Sequence, residues 1–151
     1  MIEKPGTNRG QAIVELALSL PIFCIMLLGT LDFGVIYYNQ AMLTNATREG
    51  ARTAIQFLGK DVSTGACNSV LQSDIDAAVD NYLSGRLINF GGAASWSVPA
   101  ATWTGDSPAC DASGGTVKVA VQYEHTYMLI PRFLGFGPTI TLAAETTMNR
   151  E

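Results

Sequence analysis

Residues 9–31 read RGQAIVELALSLPIFCIMLLGTL. From Leu16 to Leu31 there is no charge, and the 20 residues from Ala12 to Leu31 form an apolar run. As a helix such a run spans roughly 30 Å, about one hydrocarbon core. Glu15 breaks the pattern near its start. An ionised side chain at the bilayer centre costs about 2.5–3.5 kcal/mol on insertion scales. Glu15 therefore either has a functional partner or lies at headgroup level, where water reaches it.

The flank before the run, MIEKPGTNRG, carries Lys4 and Arg9. Positive charge there keeps this end cytoplasmic and sends the C-terminal part across the membrane. A secretory signal would have a shorter apolar core and a small-x-small cleavage site. The following GTLDFGVIYYNQ offers no convincing A-x-A. An uncleaved anchor fits better, and a cut before the apolar run would also leave the anchor in place.

The chain has 151 residues, enough for one domain plus an anchor. Net charge is −4 and the nine Lys and Arg are scattered, which argues against nucleic-acid binding. Beyond residue 60 the composition shifts to Gly, Ser, Asp and Thr with short apolar runs. Cys24 lies within the apolar run, where it packs as a small hydrophobe. Cys67 and Cys110 lie in the polar part. On the oxidising side of a membrane they are expected to form a disulfide; in the cytosol they would be thiols.

Gly10-Gln11, followed by Glu15, resembles a type IV prepilin processing site. The wider block through Arg52 resembles the TadE-like family of tight-adherence pilus systems. The shared features are RGQ…VE, the Leu20-Pro21 step, Asp32-Phe33-Gly34, and N-x-x-R-E-G-A-R from Asn45 to Arg52. A looser likeness covers residues 116–151. The resemblance implies a minor pilin or pseudopilin in a bacterial inner membrane, with its C-terminal domain periplasmic. It implies a prepilin peptidase that cuts between Gly10 and Gln11, and other pilins of the same system as partners. Assembly would exchange the inner membrane for helix–helix contacts. Glu15, one helical turn from the new α-amino group of Gln11, would pair with it within or between subunits and set their register. Arg48, Glu49 and Arg52 would be a solvated face or contacts to a neighbouring subunit. The alternative is an adhesin-like module on a membrane or pilus tip, using the loop 99–115.

The expected fold is α+β: a leader at 1–10, a long helix at 11–59, and an extracytoplasmic domain at 60–151 with a second helix and a short antiparallel sheet. Leu43, Ala46, Gly50, Ala54, Phe57 and Leu58 recur at helical spacing, opposite Asn45, Arg48, Glu49, Arg52 and Gln56. Gly59 is a plausible stop, and Pro21 should kink or loosen the helix. Residues 60–72 read as a loop. Ser73 resembles an N-cap to a helix with Ile75, Val79, Tyr82, Leu83 and Leu87 on its apolar face, ending near Phe90-Gly91-Gly92. Ser95–Val98 reads as a short strand and 99–115 as a loop. Val117 to Glu124 and Thr139 to Met148 alternate as strands that could pair antiparallel across the loop MLIPRFLGFGP.

No nucleophile elbow, phosphate loop or HExxH is present. The single histidine, His125, reads as a strand residue rather than a base, so neither enzyme activity nor a cofactor is expected. Asp74, Asp76 and Asp80 read as the wet face of one helix, with a calcium site as the minor option. The apolar segment from Met128 to Phe136 reads as core packing or as a contact with a neighbouring pilin or the membrane.

Overall fold

A computed structural model describes residues 8–55, 72–90, 94–104, 115–127 and 137–149. Its elements are α1 (Asn8–Ile55), α2 (Gln72–Leu83), β1 (Trp96–Ser97), β2 (Thr102–Thr104), β3 (Thr116–Thr126) and β4 (Thr139–Asn149). This is the α+β architecture expected from the sequence.

α1 has 48 residues and runs unbroken through Pro21. At 1.5 Å per residue it is roughly 72 Å long. It starts earlier than expected, with Asn8, Arg9 and Gly10 already helical. Phe57, Leu58, Gly59, Gln56 and the loop 60–71 lie outside the described residues. Residues 11–27 are exposed on every side. From Asp32 onward one face is buried: Asp32, Asn39, Leu43, Ala46, Thr47, Gly50, Ala51 and Ala54. Their spacing of three, four and seven is one side of a helix.

α2 begins at Gln72, one residue before the expected cap, so Ser73 and Asp74 sit in its first turn. The Gln72 side chain secures this end. Its Nε2 donates to Asp76 Oδ1 at 2.7 Å, and its Oε1 accepts from the Ala101 N–H at 2.9 Å. The helix stops at Leu83, short of the expected end near Phe90. Gly85 explains the early stop: its φ of 70° is left-handed, and a residue without Cβ adopts it freely. Ile75, Val79 and Leu83 form the buried face, as their spacing predicts.

β3 is the centre of the sheet. β4 pairs with it antiparallel over eleven residues, from Thr116↔Asn149 to Thr126↔Thr139, without a slip. The Tyr127 N–H adds one more rung by donating to the Pro138 carbonyl at 3.3 Å. The expected connection over 128–136 lies outside the described residues. The other edge of β3 carries β1 and β2, both antiparallel. β2 lies within a stretch read from the sequence as loop. Between Ser97 and Thr102 four residues cover what Val119, Ala120 and Val121 cover on β3. One extra residue on that side makes a bulge, and Pro99, which lacks an N–H, sits in it. The bulge hides the two-residue periodicity that would have revealed β2.

One face of the sheet carries both helices; the other faces outward. Val117, Val119, Val121, Tyr123 and His125 point inward, while Gln122 and Glu124 are exposed. Leu43 and Ala46 pack with Val79, Leu83, Val121, Tyr123, Leu142 and Ala144. Ala51 and Ala54 pack with Ile75, Val117 and Val119. Gly50 lies where α1 meets both α2 and β3. A Cβ there would stand 2.9 Å from Val79 Cγ2 and 3.3 Å from Val119 Cγ1, so the approach requires glycine. Gln40 Nε2 donates to the Ala143 carbonyl at 2.9 Å, and the Thr47 and Thr146 hydroxyls are 2.8 Å apart. These two contacts set α1 parallel to β4 and hence antiparallel to β3.

Candidate functional site

The residues singled out in the sequence fall into two groups on α1. Gly10, Gln11 and Glu15 lie in its first two turns and are exposed. Gln11 and Glu15 are four residues apart, so they share a face about 6 Å apart along the axis. Around and beyond them the exposed surface is apolar on every side, including Leu18 at 71% and Met26 at 69%. The helix is long and apolar enough to cross a membrane. Cys24 is a free thiol on this surface. Cys67 and Cys110 lie outside the described residues.

Arg48, Glu49 and Arg52 form the second group, exposed on the side of α1 away from the core. The spacing of Glu49 and Arg52 would allow an ion pair, but they form none. Among the described residues the single salt bridge is Lys118–Glu145, at 2.6 Å.

Sequence reasoning missed a third group, where α1 enters the domain. Asn39 is fully buried, and its side-chain amide pairs with the backbone of Ile88 as another strand would. Nδ2 donates to the Ile88 carbonyl at 2.7 Å, and Oδ1 accepts from the Ile88 N–H at 3.0 Å. The second Nδ2 hydrogen is directed at His125 Nδ1, 3.3 Å away. That contact makes Nδ1 the acceptor and leaves the imidazole proton on Nε2. Nε2 is buried and has no hydrogen-bond partner among the described residues. Burial holds the His125 pKa below its ordinary value, and the negative charge of Asp32 acts in the opposite direction. Tyr123 Oη lies 3.5 Å from the same Ile88 carbonyl, and burial raises its pKa. Tyr127 meets the His125 ring edge-on, with centroids 6.2 Å apart.

This cluster joins three pieces of chain: α1, the end of β3 and the segment after α2. Its chemistry is structural: the buried Asn39 amide satisfies the part-buried backbone of Ile88 beside a neutral imidazole. The sequence held a usable signal. Asn39 lies four residues before Leu43, and Asp32 seven before Asn39, so the apolar stripe extended backwards passes through both. Asp32 is buried and engaged.

Asp74 and Asp80 are exposed on α2, and Asp80 Oδ1 accepts from Trp96 Nε1 at 2.6 Å. No three metal-ligating side chains converge among the described residues. Part of the loop 99–115 is β2, and residues 105–114 lie outside the described residues, as does the apolar segment 128–136.

In comparison with known proteins, residues 10–52 match the family model described as TadE-like protein. The matched stretch covers the exposed apolar half of α1, Asp32, Asn39 and the Arg48–Arg52 face. No curated protein and no solved structure matches the chain.

Proposed function

We propose that the chain, whose residues 10–52 match a TadE-like family model, is a minor pilin or pseudopilin of a tight-adherence system that takes part in assembling the pilus used for surface attachment. A prepilin peptidase cuts between Gly10 and Gln11. The cut subunit waits in the bacterial inner membrane, with its C-terminal domain on the periplasmic side. Assembly then transfers α1 from lipid to the helices of other pilins in the system.

One observation carries the reading. A single helix presents Gly10, Gln11 and Glu15 at its start, an apolar surface open on all sides next, and a polar-backed, packed face last. Such a helix serves a subunit that must be held in lipid and later packed on neighbours. After the cut, the Gln11 amine is a cation one turn from the Glu15 carboxylate. Pairing within or between subunits offsets the desolvation of each. A subunit slipped along its neighbour would leave Glu15 unpaired, so the pair sets the register. Arg48, Glu49 and Arg52 extend the contacts between subunits above the membrane.

The test is chemical. Protein extracted from membranes of cells holding the cognate peptidase should begin at Gln11 by N-terminal sequencing, and retention of Met1 would sink the processing step. Glu15→Gln keeps the shape and removes the charge. It should insert as well as the parent, be cut normally, and appear in sheared pili at a small fraction of the parent level. Wild-type incorporation of a normally cut Glu15→Gln protein would remove the register role.

A further inference from the structure

Beyond the apolar run, the exposed large apolar side chains among the described residues are Phe33, Tyr37, Tyr38, Ile88, Phe90 and Ile140. They come from separate parts of the chain, yet they gather at one end of the domain. Asn39 marks that level on α1. Its side chain holds both backbone groups of Ile88, at 2.7 and 3.0 Å. It also meets His125 Nδ1 at 3.3 Å, and Ile140 is the partner of His125 across β3 and β4. Phe90 follows Ile88 by two residues. α2 descends toward this end, because Ile75 packs with Ala51 and Ala54 while Leu83 packs with Leu43. β1 climbs away from it, from Trp96 opposite Tyr123 to Ser97 opposite Gln122. Phe90 therefore lies where the chain turns back. Thr102, Thr104, Thr147 and Asn149, exposed at the opposite end, are polar.

We propose that this end of the domain is seated in the surface of the bilayer that α1 crosses, with Ile88, Phe90 and Ile140 among the lipid headgroups beside Phe33, Tyr37 and Tyr38. This rests on the reading of α1 as held in lipid, and it adds a second contact with the same membrane. Charge sets the depth. Glu15 at headgroup level leaves the 20 residues from Leu16 to Val35 for a hydrocarbon core of about 30 Å. Asn39 is four residues further, roughly 6 Å above that core, and the headgroup layer is about 5–8 Å deep. Tyr37 and Tyr38 fall inside this layer, where tyrosine rings concentrate. Helical side chains lean toward the N-terminus, which here is toward the lipid. Asp32 lies within the 20 residues but is buried and engaged, so it turns no charge to lipid. Leu28 and Gly29 are half-buried, so no bare stalk of helix separates the domain from the span. Arg86, two residues before Ile88, and Glu124, one before His125, are exposed and of opposite sign. The contact is therefore apolar, and neutral lipid suffices.

The experiment uses the full chain in phosphatidylcholine vesicles at a low protein-to-lipid ratio. Benzoylphenylalanine replaces one residue at a time: Ile22 in the apolar stretch, Phe90 at the seat, and Thr104 at the far end. All three side chains are exposed, so the fold is kept. Thr104 pairs with Thr116, at the other end of β3 from His125 and roughly 30 Å away at about 3.4 Å per residue. Illumination should add the mass of one phosphatidylcholine at positions 22 and 90, with a yield at 90 at least ten times that at 104. Lipid adducts at 22 but not at 90, or equal yields at 90 and 104, would overturn the seat and leave the anchor standing. Crosslinks from 90 to a second copy in place of lipid would make this end an interface between copies, and would overturn the seat too. No lipid adduct at 22 or 90 would overturn both the seat and the anchoring beneath it. Adducts at 22 and 90 in a protein that cells holding the peptidase leave uncut would remove the pilin reading and keep the seat.

Discussion

Residues 11–27 and 39–54 of α1 belong to one helix and are built for two solvents. In the first stretch every residue is exposed and nearly all are apolar. In the second, small and apolar residues bury one face while Arg48, Glu49 and Arg52 keep the other wet. An apolar surface as large as the first is rare on a soluble monomer. In lipid it has no cost, because a helix satisfies its own backbone groups. The second stretch is ordinary amphipathic helix, stabilised by packing. The surface changes near Asp32, from apolar and exposed all round to packed on one side, without any break in the backbone.

Truncating leucines in the two stretches gives the sharpest test of that division. Leu43→Ala removes a fully buried side chain from the main cluster. It should cost about 2–5 kcal/mol of domain stability, read by denaturant melting in detergent. Leu18→Ala lies in the exposed stretch and should leave that melt unchanged. Equal losses would erase the distinction between the halves. Asn39→Ala should come next. It leaves the Ile88 N–H without its acceptor and the Ile88 carbonyl with only Tyr123 Oη at 3.5 Å, in a part-buried setting where each hydrogen bond lost costs about 0.5–1.5 kcal/mol. Hydrogen exchange of the Ile88 amide should accelerate in the same variant. Unchanged exchange would show that Asn39 does not hold this segment.

The smallest effect is one of pH. His125 is neutral in the fold because burial lowers its pKa. The unfolded chain takes up that proton near the ordinary value of about 6.5, so the unfolded state binds more protons below it. Stability contributed by the neutral imidazole is therefore full above about pH 6.5 and declines as pH falls from there toward the folded pKa. Melts of the parent between pH 7.5 and 5 should show this decline, and His125→Gln should flatten it. Leu43→Ala should keep the slope while lowering the whole curve. A parent curve already flat over that range would mean that the imidazole charges without penalty.

Much of this was legible in the sequence. The apolar run, the stripe from Leu43 to Ala54, the face of α2 and the alternation of β3 and β4 all come from periodicities that the local chain itself carries. What was missed has physical causes. β2 is three residues long and follows a bulge at Pro99, so its pairing is set by β3 rather than by its own pattern. α2 stops at Leu83 because Gly85 adopts a left-handed φ, while Leu87 continues the apolar spacing and masks the stop. The Asn39–His125 cluster joins residues 86 positions apart, and no periodicity reports such a meeting. Asn39 is a polar residue on an apolar stripe, a conflict that a tertiary partner resolves. At the start of α1 the order of Gly10, Gln11 and Glu15 was plain in the sequence, because a likeness to a processing site is a matter of linear order and needs no fold to be read.

The parallel course of α1 and β4 also has a mechanical meaning. A pull on the anchor enters the domain along the helix axis. It is passed to β4 through contacts such as Gln40 to Ala143 and Thr47 to Thr146, and from there to β3 through the eleven paired positions. The load runs along the strands, so those rungs are sheared together rather than peeled open one after another. The same geometry that lets a helix rest on a sheet makes the domain a grip along the direction in which its anchor would be tugged.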